Sequence, residues 1–239
     1  MKTPAAVLTI ALALGAIILT SWGGAQAQDR REEGPTEIKK CQTIDKPGSY
    51  KLINNLTSSN AIANCLAITA DFVTIDLAGF AILGTRGGTA IRGPSGTGIT
   101  VRNGSIANFQ TGVDLSLANG SIVEALRVSG FEETGDGIIA RGIVKGNTVS
   151  GTFHNGIQAT GTVTGNYATG NGFTGIVVGQ GSTVIGNTAT DALGFDIAVT
   201  CPSNVTDNTT VNPAGDVGSI RLSGAGCNTT NNVGNVIGP

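Results

Sequence analysis

The chain has 239 residues, with 14 basic and 16 acidic side chains. That balance offers no basic footprint for nucleic acid. Its 37 glycines follow no G-X-Y period, which excludes a collagen-like rod.

Residues 1–27 read as a secretory signal peptide. Lys2 supplies the positive start, Val7 to Leu19 is an apolar run, and Ala25-Gln26-Ala27 is an A-x-A cleavage site. The run is short for a spanning helix, and no later run is long enough. Cleavage removes Lys2, the only charge in the segment, and leaves 13 basic residues of the 14 against 16 acidic ones. The expected location is therefore secreted or periplasmic, with no membrane attachment after cleavage and no nucleic-acid partner. Residues 28–40 are charged and lack apolar periodicity, so they read as a disordered leader. Residues 41–239 suit one domain.

Within that domain Phe109, Phe131, Phe153, Phe173 and Phe195 recur every 20 to 22 residues. A fixed period near twenty marks stacked structural units. One predicted strand column carries Ile91, Val113, Ile138, Ile157, Ile176, Ile197 and Ile220. A second carries Val101, Val123, Val144, Val163, Val184 and Val205. A third carries Ile106, Val128, Val149, Ala168 and Ala189. Three short strands per unit, divided by Gly- and Asn-bearing turns, are too short and too glycine-rich for helix pairs. Identical residues recur at one phase of every unit, so like stacks on like in a parallel coil. The reading is an all-β solenoid, a single-stranded right-handed parallel β-helix of about eight turns with an N-terminal cap.

Asn147, Asn166, Asn187, Asn208 and Asn232 form a turn column. Asn tolerates left-handed backbone, and stacked amides can hydrogen-bond along an axis. The phenylalanines are likewise assigned to structural turn ladders. Cys41, Cys65, Cys201 and Cys227 contain no C-x-x-C pair. In an exported chain they read as disulfides, for which four cysteines allow three connectivities. Cys41–Cys65 and Cys201–Cys227 are favoured, because stacking places those pairs one turn apart.

From Cys41 to about Val236 the chain resembles the secreted right-handed parallel β-helix repeat proteins of the pectate-lyase-like superfamily. The G-I-x-V and V-x-G-N repeats carry the likeness, with Pro47-Gly-Ser-Tyr-Lys-Leu52 and Asp71-Phe-Val-Thr-Ile-Asp-Leu-Ala-Gly-Phe80. The superfamily holds lyases, hydrolases, epimerases and adhesins, so the resemblance speaks to fold more than to activity. Its lyases hold calcium with clustered acids and use a Lys or Arg as base on acidic polysaccharide. Calcium needs several oxygen ligands around one point.

Arg102, Glu124 and Lys145 alternate in sign down the second column and read as an exposed ion-pair ladder. The functional alternative makes Arg102 and Lys145 a groove for sugar carboxylates. The long turn after Phe131 offers Glu132, Glu133 and Asp136 as metal candidates. His154 should stack beside it, with Gln110 on the other side. Asp136 and His154 are thereby acid–base candidates. No cofactor is expected unless calcium binds there. The mature chain has no Trp, and with its phenylalanines in turn ladders it would lack aromatic platforms for sugar. The preferred function is an exported, non-catalytic structural or carbohydrate-binding protein. The alternative is a calcium-dependent polysaccharide lyase or epimerase. Expected partners are a polysaccharide or cell-surface component, and a second copy through the C-terminal turn from Val233 to Pro239.

Overall fold

The computed structural model describes residues 34–59, 63–93, 95–130, 135–211 and 219–238. The expected signal peptide and the candidates Glu132 and Glu133 lie outside the described residues. The described chain winds into a parallel β-solenoid with three strand-bearing faces. The first face stacks Gln42–Ile44, Leu66–Ile68, Thr89–Arg92 and Thr111–Leu115. It continues through the first halves of Ile138–Lys145 and Ile157–Thr164, then Ile176–Val178, Ile197–Thr200, Ser219–Ser223 and Asn235–Ile237. The second face runs from Thr36–Ile38 and Gly48–Leu52 through Val73–Asp76 to Asn204–Thr206 and Asn228–Thr230. The third runs from Leu56–Thr57 and Ala81–Leu83 through Thr148–Ser150, Tyr167–Thr169 and Thr188–Thr190 to Thr209–Val211.

All three apolar columns pair in the register that the repeat predicts. Ile138 lies on Ile157, Ile157 on Ile176 and Ile176 on Ile197. Alternate residues of a strand point to opposite faces, so these side chains meet inside the coil. Ile138, Val144, Val149, Ile157, Val163 and Ile176 are all fully buried. Each such side chain contributes about 1.5–3 kcal/mol on burial. Stacking also satisfies the backbone, because each coil donates to and accepts from its neighbours along the axis.

The fold starts earlier than the leader reading allows. Thr36–Ile38 is a strand paired with Tyr50–Leu52, and Ile38 is fully buried. One apolar residue with an available strand edge sufficed to order the end of a charged segment. Residues 42–57 form the first coil itself, and Thr36–Ile38 stacks on its outer side.

Both favoured disulfides are present, Cys41–Cys65 and Cys201–Cys227, each tying one coil to the next. Such bonds fit an oxidising compartment. Among the described residues no helix is long and apolar enough to cross a membrane.

Candidate functional site

The structure places the sequence candidates in two separate regions. Arg102 and Lys145 stand on the second face. Arg102 pairs in register with Asp76 and Glu124, and Glu124 pairs with Lys145. The Arg102 guanidinium lies 3.2 Å from Asp76, and the Lys145 ammonium 2.8 Å from Glu124. The ladder is real, and Asp76 joins it. Each cation already faces a carboxylate of the chain, which competes with any sugar carboxylate for it. Exposed pairs of this kind contribute about 0–1 kcal/mol.

Asp136 and His154 lie elsewhere, at the corner where the third face turns into the first. His154 Nδ1 is 2.9 Å from Asp136 Oδ1, which also accepts the Asn155 N–H at 2.9 Å. The imidazole stacks on Phe173, with ring centroids 5.3 Å apart. This is a positioned carboxylate–imidazole pair. Neither Arg102 nor Lys145 belongs to it, since both stand on the second face; of the basic candidates only His154 reaches this acid. Among the described residues no three His, Cys, Asp or Glu side chains converge as metal ligands.

The phenylalanine column corrects the sequence reading. Phe109 is fully buried, but Phe153 and Phe173 are each 57% exposed. Phe131 lies outside the described residues. In the later coils the inward corner position belongs to Thr152, Asn171 and Ala192, all buried, and the rings stand outside. Exposed aromatic surface is present after all.

A groove outside the residues singled out in the sequence runs along the first face. It encloses about 210 Å³ and crosses five coils, from Ser116 through Arg141, Thr160 and Gly179 to Thr200. Coil spacing makes that about 19 Å. Ile139, Ala159 and Val177 give apolar floor between the polar groups, and Gln158 adds an amide. Gly179 keeps the groove open, since a Cβ there would stand 2.6 Å from Thr160 Oγ1. The signal was present in the sequence as the outward column Ile139, Gln158, Val177. That column carries a single acid, Asp114, and so lacks the clustered carboxylates that mark a calcium site.

No protein-family model matches the chain, and no curated protein matches it. Three solved structures are similar. The Dettilon tailspike protein aligns at 13% identity and TM-score 0.49, over 84% of this chain and 60% of that one. The A-module of a mannuronan C-5 epimerase from Azotobacter vinelandii aligns at 13% identity and TM-score 0.44, over 85% and 75%. The enzymatically active domain of bacteriophage CBA120 tailspike protein 2 aligns at 14% identity and TM-score 0.43, over 83% and 39%. The chain thus spans 60% of the first tailspike and less of the second.

Proposed function

We propose that this is an exported, non-catalytic solenoid that binds an extended glycan along the first-face groove. The observation that carries the reading is the groove's lining. Ser116, Gln158, Thr160, Thr200 and Arg141 alternate with Ile139, Ala159 and Val177 over five coils. Hydroxyl, amide and guanidinium groups serve the sugar hydroxyls and ring oxygens, and the apolar floor takes the C–H faces. A repeat of about 4.8 Å per coil presents such contacts at regular intervals along a polymer. The paired states of Arg102 and Lys145 favour this groove over the second face.

The test is a neutral and acidic oligosaccharide panel, read by titration calorimetry with the whole protein. Binding is expected to fall about tenfold in Gln158→Ala and in Arg141→Ala, the loss of one good hydrogen bond each. Equal binding by both variants overturns the site. The same panel, followed by ultraviolet absorbance with calcium or chelator, separates the alternative. Calcium-dependent growth of unsaturated uronate would make the protein a lyase.

A further inference from the structure

The corner between the third and first faces carries a second cavity, of about 510 Å³. Phe153 and Leu193 form its walls, two coils apart, which is about 9.6 Å. Both are open to solvent, Phe153 at 57% and Leu193 at 85%. Gly172 lies between them in the same lining. A Cβ on Gly172 would run into the Phe153 carbonyl, so no side chain can fill the gap. The apolar walls and the empty middle are built into the coil.

Asp191 closes one side of the notch. The same turn position holds Gly130, Gly151 and Gly170 in the preceding coils, at φ of 72°, 63° and 61°. Asp191 adopts φ 57° there, the left-handed region that disfavours a Cβ. Asp is one of the few residues with a side chain that tolerate this region, so the coil can place a side chain here where its predecessors have none. What the replacement adds is an exposed carboxylate.

That charge has no cationic partner among the described residues. Other ionisable groups that the structure describes at this corner have contacts of their own. Asp136 is met by His154, and Arg221 lies over the Phe195 ring, 4.8 Å from its centroid. Asp196, in the same turn, is buried where Asp191 is exposed; burial holds its carboxyl above the usual range, and the Asp191 charge adds to the rise. The notch therefore joins apolar walls to uncompensated negative charge. Its complement is a cation carried on a compact apolar body.

The backbone narrows the source. The Gly172, Leu193 and Gly194 N–H groups donate to the Thr152, Asn171 and Phe173 carbonyls along the axis. No strand edge is left for a peptide to extend. A pyranose ring offers two C–H faces for two facing walls, and a protonated amino group can reach the carboxylate at the side.

We propose that the notch is a binding site for a protonated amino sugar, with Asp191 taking the ammonium and Phe153 and Leu193 the ring faces. It lies on a different corner from the first-face groove and does not depend on it.

The probe is a glucosamine oligomer, titrated into the whole protein under mildly acidic conditions. Binding is expected, with a loss of about tenfold in Asp191→Gly, the size of one charge-assisted contact. Asp191→Gly restores the residue of the three preceding coils, so its melting temperature should hold or rise. Leu193→Ala should also weaken binding, and Gln158→Ala in the other groove should leave it unchanged. N-acetylglucosamine oligomers, which lack the ammonium, should bind at least tenfold more weakly. The proposal is overturned if glucosamine oligomers do not bind, or bind Asp191→Gly equally. It is also overturned if the acetylated oligomer binds as well, or if oligolysine matches glucosamine. Failure here with Gln158-dependent binding of another glycan would leave the first-face reading intact.

Discussion

Asp196 occupies a column that its predecessors fill with Gly137, Gly156 and Gly175. A Cβ at each of those glycines would stand 2.6 Å or less from the carbonyl of the next coil. Asp196 is only 1% exposed. Its Oδ1 accepts the Ala192 N–H at 3.3 Å, while Oδ2 has no partner. In the next coil Ser219 Oγ is also unpartnered. Burial pushes the carboxyl from 3.8 up to about 6; the Ala192 N–H opposes the rise and the Asp191 charge adds to it. Because the folded pKa lies above the unfolded one, the folded state holds the proton more tightly. Stability is therefore complete below about pH 4 and falls as pH rises through about 6, by about 2–3 kcal/mol in all. Asp196→Asn should remove that slope. Urea midpoints at pH 4 and pH 7.5 are expected to differ in the natural protein and to agree closely in the variant. An unchanged slope in Asp196→Asn would assign the pH dependence to another group.

The asparagine ladder is the element that joins one coil to the next through side chains. Asn147, Asn166, Asn187 and Asn208 each donate Nδ2 to the following Asn Oδ1, at 2.9 to 3.0 Å. Each also donates to a valine carbonyl of the preceding coil, Val123, Val144, Val163 and Val184 in turn. Their backbone N–H groups use the same Oδ1 acceptors. Asn187→Ala would strand the Asn166 donors and the Val163 carbonyl in a dry site. The expected cost is about 3 kcal/mol, since orphaned buried groups lose their full desolvation energy. Equilibrium unfolding measures it; a cost below about 1 kcal/mol would show water replacing the amide. This ladder was legible in the sequence, as were the strand columns and both disulfides. A parallel coil repeats one environment, so a recurring residue declares its partner. The corners were less legible. A ring in a turn can lie under the neighbouring coil or outside it, and the choice rests on the inward residue beside it. Phe109 packs where Gly84 has no side chain; a Cβ there would come within 2.8 Å of the ring. Phe153 and Phe173 stand out because Thr152 and Asn171 hold the inside. The first-face groove was hidden for another reason: neutral polar residues in strands leave no charge signature.

At the scale of the molecule, contacts run between neighbouring coils, so stability is close to a sum of coil and interface terms. The disulfides sit toward the two ends of the described solenoid, closing chain separations of 24 and 26 residues. Each restricts the unfolded chain by about 3 kcal/mol. Their effect should stay local. Reduction is expected to raise amide exchange in the coils around Cys41–Cys65 and Cys201–Cys227, while Ile138–Lys145 and Ile157–Thr164 keep their protection. Uniform loss of protection would mean that the solenoid melts as one unit. Nearest-neighbour stacking has a further consequence for how such a molecule can change. Asn166 and Asn187 are equivalent positions 21 residues apart, and the residues from one to the next make up a whole coil with its own ladder rung. A tandem duplication of that stretch would meet the same neighbours on both sides, adding about 4.8 Å of length and one more set of outward side chains on each face. The fold can in this sense grow or shrink only in whole divisions.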